Sequence, residues 1–446
     1  MHCNRPVANG CQMNSQPRAI LPRRTSGNDF WRSPHKPLFL CCFVWAALAI
    51  GWWPLGAEIG LPAPEIGSPV HWHVHELLFG FGGAALGGYL LTALPSWTAA
   101  KPMGRGCLRI LVLFWVLARL TAAFAGVVPL AVIGATNAAY FFGLGAVIMR
   151  VTLKVRLYRK AGFGIAMLGL GCAEIAYLRF AALTPHDALI PIGTVAVLCF
   201  CLLIIVVGGR AVPAFTRNWM LRMERAGPQV DDGSRACVLA VFLLIFVLVC
   251  LLVAKDALAH IAMIVCGLTL LRSMRGWRST HTLANPLLVS LHLAYLWVPI
   301  GMVAVGLLGL FPNAYPLSSA LHAITVGAMS GMIMAIAGRA AARRKRGELQ
   351  ARQGFIVGVS LLWVATWVRL AAPMFSESSG QIIIVAAVMW CLSWAALLAD
   401  FLPGLFQPSP HPVLSGEKHR PPDREADASE VSGHPAPVGA GCDKVL

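Results

Sequence analysis

The stretch SPVHWHVHELLFGFGGAALGGYLLTALPSW, from Ser68 to Trp97, joins a histidine-rich opening to a long apolar run that contains several glycines. A membrane-spanning helix needs about 20 consecutive apolar residues, and the run after Glu76 reaches that length. His71, His73, His75 and Glu76 stand at its beginning. Because ionisable groups are costly inside a bilayer, the stretch predicts a spanning helix whose first residues are paired with, or bound to, another group.

The composition identifies the class of protein. Hydrophobic residues make up 57% of the 446 residues and charged residues only 12%, whereas soluble domains carry about 25% charged residues. We therefore predict a polytopic helical membrane protein. The net charge of +17 comes from short Lys and Arg clusters between apolar runs, which is typical of topology control and not of nucleic-acid binding. Most of the 13 cysteines lie in apolar runs and are interpreted as small buried side chains.

About twelve apolar segments are long enough to cross a bilayer, and several of them are joined by very short connections that predict antiparallel neighbours. The segments lie near residues 37–56, 72–95, 107–125, 127–149, 162–182, 187–208, 237–255, 257–274, 286–310, 316–338, 354–374 and 380–402. The predicted fold is all-α. Its predicted parts are a polar N-terminal segment at 1–36, a twelve-helix membrane domain at 37–403 and a disordered tail at 404–446.

Basic residues follow every second segment. The clusters from Arg150 to Lys160 and from Arg339 to Arg352 are two examples, and the intervening connections hold almost no Lys or Arg. By the positive-inside rule, this alternation supports the helix count and predicts that both termini are cytoplasmic. The histidines that open the second segment are then expected near the outer surface of the membrane.

Several ionisable residues are predicted to meet in the outer half of the membrane, on the second, third, fifth, tenth and eleventh segments. They are His73, His75, Glu76, Arg119, Arg179, His322 and Arg369. His292 is predicted in the inner half of the ninth segment. A single histidine in a membrane bundle is usually a hydrogen-bonded structural residue, but a cluster of this kind favours a prosthetic site. Neutral imidazole suits haem iron or copper, and arginines near a membrane surface suit haem propionates.

Helical periodicity separates the histidines of the second segment. On a regular helix His73 shares a stripe with Glu76 and the glycines, whereas His75 shares the opposite stripe with Phe79 and Gly82. We therefore expect two different partners, with His75 as a haem ligand on the roomier side. His73 and Glu76 are expected to form a pair that binds copper or handles protons. This expectation requires residues 73–87 to form a regular helix.

Four motifs resemble the NnrS family of bacterial inner-membrane proteins, and together they span nearly all of residues 37–403. They are WHVHELLFGFGGAALGGYLLTALPSWTA, GGRAVPAFTRN at 208–218, LHLAYLWVPIGM at 291–302 and ALHAITVGAMSGMIMAIAGRA at 320–340. The resemblance implies a twelve-helix protein that contains haem b and copper. It also implies a role in nitric oxide metabolism, denitrification or protection from nitrosative stress. The implied partners are nitric oxide or nitrosyl-iron species, the lipid bilayer and an external electron donor.

The resemblance also carries residue roles. His73, His75 and Glu76 match the HxHE element of the family, and His292 and His322 match the histidines of the ninth and tenth helices. These four histidines are the implied haem or metal ligands, and Glu76 supports them or handles protons. Two arginines at inner helix ends also match the family, Arg210 and Arg339. Whether the protein has catalytic turnover is left open by the resemblance.

Two other functions remain open on the sequence. One is a twelve-helix secondary transporter of the major facilitator type, because a long predicted connection at 209–236 divides the chain six plus six. The other is a metal or haem exporter, which would bind its cargo without redox chemistry. A transporter has no evident need for so many histidines near the outer surface.

Overall fold

The computed structural model describes residues 29–100, 102–183, 189–223, 229–345, 347–409 and 412–415. Twelve helices in these residues are long and apolar enough to cross a membrane, so the chain is a multi-pass helical membrane protein. They are α1 His35–Glu58, α2 Pro69–Thr98, α3 Arg105–Ala123, α4 Leu130–Lys154, α5 Tyr158–Leu183, α6 Ile192–Arg222, α7 Ser234–Leu252, α8 Asp256–Trp277, α9 Pro286–Leu310, α10 Leu317–Ala341, α11 Gln353–Met374 and α12 Ser376–Gly404. The predicted helix count is confirmed.

The largest difference from the predicted boundaries concerns α6, which was expected to end at residue 208 and continues to Arg222. Its polar continuation was interpreted as a connection. In the structure, Val212, Thr216 and Met220 are buried at a spacing of four residues, so one face of the helix still packs although the other is polar. The connection that favoured a transporter is correspondingly shorter than predicted.

A small hairpin joins α10 to α11. Strands β1 Arg343–Lys345 and β2 Glu348–Gln350 pair antiparallel, and Gly347 adopts a φ of +77° in the turn between them. The Arg222 guanidinium, at the end of α6, donates to the Gly347 carbonyl at 3.0 Å. The hairpin thus anchors the extension of α6. We call the end of the bundle that carries this hairpin and the other Arg-rich connections the basic end.

The central helices are α2 and α10, which are the most buried of the twelve. Each contains a π-helical segment that begins immediately after a histidine. In α2 the segment Glu76–Gly82 follows His75, and in α10 the segment Ala323–Ser330 follows His322. Residues 73–87 therefore do not form the regular helix on which the predicted roles of His73 and His75 depended. A π turn closes i→i+5 hydrogen bonds, so residues within it rotate less per step than on an α-helix.

The described parts of the two polar terminal segments pack together at the basic end. The Ser33 and Ser409 hydroxyls are 2.8 Å apart, and the Ser409 N–H donates to Asp29 at 3.2 Å. Arg339 Nε donates to the Leu414 carbonyl at 2.7 Å. The beginning of the tail thus contacts the bundle. The rest of the predicted terminal segments, 1–28 and 416–446, lies outside the described residues.

Candidate functional site

Opposite the basic end, His75 lies at the centre of a buried set of ionisable side chains. His75 Nδ1 is 2.8 Å from Glu76 Oε1, and His75 Nε2 is 3.2 Å from Glu174 Oε1 on α5. These three side chains are at most 1% exposed. The second contact lacks the directional geometry of a hydrogen bond. A carboxylate oxygen therefore lies next to each of the two ring nitrogens of His75.

Arg119 of α3 balances the carboxylates. Its guanidinium donates to Glu76 Oε2 and to Asn137 Oδ1, at 2.5 Å each, and lies 3.9 Å from Glu174 Oε1. The Asn137 amide donates to the Ile133 carbonyl at 2.8 Å, which turns its own carbonyl toward Arg119. We call His75, Glu76, Arg119, Asn137 and Glu174 the buried ion cluster. It joins four helices, α2 to α5, by charge-assisted bonds away from water.

The π segment of α2 shapes one wall of this cluster. The Trp115 indole N–H donates to the Gly80 carbonyl at 2.9 Å. A Cβ at Gly80 would collide with the Arg119 guanidinium, so glycine is required for the close approach of the guanidinium. Below the cluster, Phe79 is packed among aromatic rings, including those of Phe141 and Tyr177. The side of α2 expected to be roomy is therefore filled.

Glu76 has a different partner from the predicted one. It was expected to pair with His73, and it is bonded to His75 instead. The angular argument assumed a uniform helix, whereas Glu76 begins the π segment. The expectation that His73 and His75 have different neighbours agrees with the structure. His75 faces α5, whereas His73 packs against the Trp53 ring of α1 with centroids 5.3 Å apart.

We call His73 of α2 and His322 of α10 the histidine pair. Their imidazoles interact electrostatically with each other and with the Arg369 guanidinium of α11. His322 Nδ1 is 2.9 Å from the Ser318 carbonyl. A carbonyl only accepts, so Nδ1 carries the proton and the lone pair of His322 is on Nε2. His73 Nδ1 is buried, and within the described residues it has no hydrogen-bond partner.

Arg369 makes polar contacts near the start of α10. Its guanidinium donates to the Ser319 hydroxyl at 3.3 Å. The Tyr315 hydroxyl donates to the Leu370 carbonyl at 2.5 Å. Burial raises the pKa of Tyr315 above its ordinary value although Arg369 opposes the shift, so the phenol stays a neutral donor. These contacts leave other guanidinium N–H groups of Arg369 able to bind an anion.

His292 is remote from the other three predicted ligands. It lies near the basic end, where its Nε2 is 2.9 Å from the Thr216 hydroxyl and its Nδ1 is 2.9 Å from the Ser279 hydroxyl. Trp277 contacts its ring edge-on, with centroids 6.0 Å apart. Both nitrogens are therefore hydrogen-bonded, and His292 ties α6 and α9 to the connection after α8.

The predicted arginines occupy unlike environments. Arg119 belongs to the buried ion cluster, and Arg369 accompanies the histidine pair. Arg339 is buried and lies over the Phe215 ring at 4.1 Å. Arg179 and Arg210 are exposed on the surface of the bundle. Of the arginines suggested as propionate partners, Arg369 is thus the one that the structure brings to the histidine pair.

The donor set limits how haem or copper could be held. Within the described residues, no three His, Cys, Asp or Glu side chains come together to hold a metal ion. One or two histidines would suffice to hold haem, and imidazole also suits copper. His73 and His322 are the candidates, since they come from two central helices. Both ring nitrogens of His292 are hydrogen-bonded, whereas His75 is hydrogen-bonded through Nδ1 and has a carboxylate oxygen 3.2 Å from Nε2.

Two residues of the cluster were missed on the sequence, Glu174 and Asn137. Glu174 carried a usable signal, because an acidic residue in the middle of an apolar segment is costly unless it has a partner. Asn137 carried a weaker one, since neutral amides occur at many helix contacts. The two hydroxyls that satisfy His292 belong to residue types too common to be recognised in advance.

A family model described as NnrS protein matches residues 29–409, which covers most of the chain and all twelve helices. No curated protein matches the chain.

Proposed function

The chain belongs to the NnrS family, and from that premise we propose that it is a haem- and copper-binding protein of a bacterial inner membrane that responds to nitric oxide. Its ligands would be nitric oxide or nitrosyl-iron species, in the setting of nitrosative stress or denitrification. Both termini would be cytoplasmic, which puts the histidine pair near the periplasmic surface. An external donor would supply electrons.

The observation that carries the proposal is the histidine pair beside Arg369. Two imidazoles from different helices lie within electrostatic range of each other, and His73 Nδ1 is buried without a hydrogen-bond partner within the described residues. A buried polar atom without a partner is costly, so a bound group at this position would relieve the cost. Arg369 would bind a propionate, because a guanidinium forms strong charge-assisted bonds with carboxylates.

Some residues of this chain would bind the prosthetic group, and others would position the residues that bind it. His73 and His322 would hold the prosthetic group, and the Ser318 carbonyl would orient the His322 ring through Nδ1. The buried ion cluster would fix the opening turns of α2, and therefore the position of His73, because Glu76 accepts from Arg119 of α3 and His75 contacts Glu174 of α5. Bound there, haem would supply redox chemistry and an affinity for nitric oxide, and copper would supply a second redox centre.

The proposal is tested on the full-length protein purified in mild detergent. We expect a Soret band that shifts on reduction and again on addition of nitric oxide, together with bound copper. His322→Ala should lose or shift the band. The matched control is His260→Ala, because His260 is also near the outer surface but packs against Gly309 of α9. A colourless wild-type protein, or equal spectra in all three, would contradict the proposal.

A further inference from the structure

A cavity of about 410 Å³ opens at the basic end, far from the histidine pair. Four parts of the chain enclose it: the N-terminal segment before α1, the last turns of α2, the start of α3 and the tail. Its lining includes Asp29, Arg32, Thr92, Gly104, Arg105 and Ser409. The cavity therefore lies where the two polar terminal segments meet the bundle.

Two arginines of the lining have no partner of opposite charge. Within the described residues, neither the Arg32 nor the Arg105 guanidinium forms an ion pair or a hydrogen bond with another side chain. The carboxylate of the lining, Asp29, accepts from the Ser409 N–H at 3.2 Å and interacts electrostatically with Lys36. The two guanidinium groups thus give the cavity an uncompensated positive charge.

The start of α3 adds backbone donors to this charge. Gly104 is the N-cap residue of α3, and no side chain caps the helix there. The first N–H groups of an uncapped helix have no intrahelical acceptor, and they attract anions together with the helix dipole. Arg105 is the first residue of this helix, and both Gly104 and Arg105 line the cavity.

A hydroxyl in the lining also lacks a partner. Thr92 Oγ1 is buried, and within the described part of the chain it has no hydrogen-bond partner. Other helical threonines bond to the carbonyl four residues earlier, as Thr152 and Thr216 do at 2.8 and 2.9 Å. Thr92 is thus left with a buried donor that faces a positively charged cavity.

We propose that this cavity binds a phosphate group, held between Arg32, Arg105, the first N–H groups of α3 and the Thr92 hydroxyl. A phosphate has enough acceptor oxygens for all of these donors, and guanidinium binds it through paired hydrogen bonds. Basic pockets between helices at the cytoplasmic surface are suited to phospholipid headgroups. A soluble phosphate offers the same chemistry, so the two sources must be separated by experiment.

The test uses the full-length protein in nanodiscs. Bilayers of phosphatidylcholine with phosphatidylglycerol test the lipid source, and native mass spectrometry counts the phosphatidylglycerol that stays bound. Bilayers of phosphatidylcholine alone, titrated with inorganic phosphate in a calorimeter, test the soluble source. The variant is Arg32→Gln with Arg105→Gln. The matched control is Arg109→Gln, one turn further along α3, where the guanidinium lies over the Trp31 ring at 5.4 Å.

We expect either phosphatidylglycerol or inorganic phosphate to bind to the wild type and equally to Arg109→Gln. The same probe should bind at least about tenfold more weakly to the double variant, because each charge-assisted hydrogen bond adds strongly to the binding free energy. Thr92→Val keeps the shape of the side chain and should weaken the same probe severalfold. If the double variant fails to fold, Thr92→Val alone decides the matter. Binding that is unchanged in the variants, equally weakened in the control, or absent for both probes overturns the proposal.

Discussion

Replacement of Arg119 by methionine removes the only guanidinium of the buried ion cluster while it keeps most of the side-chain volume. In the structure Arg119 donates to Glu76 and Asn137, at 2.5 Å each. Without it, Glu76 and Glu174 are two buried carboxylates with no cation other than a protonated His75. Removal of one partner of a buried ion pair costs about 3–5 kcal/mol, because the remaining charge is uncompensated.

The assay is unfolding of the purified protein by a graded denaturing detergent, followed by tryptophan fluorescence, since the chain has 14 tryptophans. Arg119→Met should lose about 3–5 kcal/mol of the free energy of unfolding. The control is Arg179→Met, the same substitution at an exposed position, where a change within about 0.5 kcal/mol is expected. Equal effects of the two substitutions would refute the reasoning.

A second substitution tests whether the loss is electrostatic. Glu76→Gln removes one carboxylate but keeps an oxygen that can accept from His75. In the background of Arg119→Met it should restore on the order of 2 kcal/mol of the free energy of unfolding, because the effects of substituting two contacting residues of one network are not additive. If the two losses simply add, the cost of Arg119→Met comes from packing, and the charge balance of the cluster is misjudged.

Further predictions concern packing, topology and the remote histidine. Gly80→Ala should destabilise the protein by about 1–3 kcal/mol, because the new Cβ meets the guanidinium of the cluster, whereas Gly134→Ala has open space and should not destabilise it; thermal denaturation checks both. A reporter that is active only outside the cytoplasm should work after Asn313 and fail after Arg156, and the reverse would overturn the predicted orientation. His292→Phe should lower the melting temperature, since it removes the bond to Thr216 and leaves the Ser279 hydroxyl without its partner, but should keep the haem spectrum; loss of that spectrum would make His292 a ligand.

The helices were predictable because their signal is strong and local. An apolar run of about 20 residues has few alternatives in a membrane, and the alternation of basic connections checked the count independently. The α9 boundaries agree with the predicted 286–310. The end of α6 was missed because a helix that emerges from the membrane becomes polar on one face, and its buried stripe is visible only with the packing known.

The site was less predictable because it depends on helix geometry and on distant partners. The motif at His73, His75 and Glu76 drew attention to the start of α2, where a π segment begins at Glu76 and Glu76 bonds to His75 instead of His73. Nothing in the amino-acid sequence from Glu76 to Gly82 distinguishes a π-helical turn from an α-helical turn. The contact between Glu174 and His75 links residues far apart in the chain, and a single sequence contains no record of such a pairing.

The most direct test of the account is the haem content per chain in four single alanine variants, His73, His75, His292 and His322, each purified at full length and compared with the wild type. If the histidine pair holds the prosthetic group, His73→Ala and His322→Ala lose haem or shift its spectrum in the same way. His292→Ala keeps the wild-type content and spectrum, and His75→Ala keeps the spectrum at reduced stability. Haem that is lost from His75→Ala or His292→Ala, and retained in His73→Ala and His322→Ala, would contradict the account.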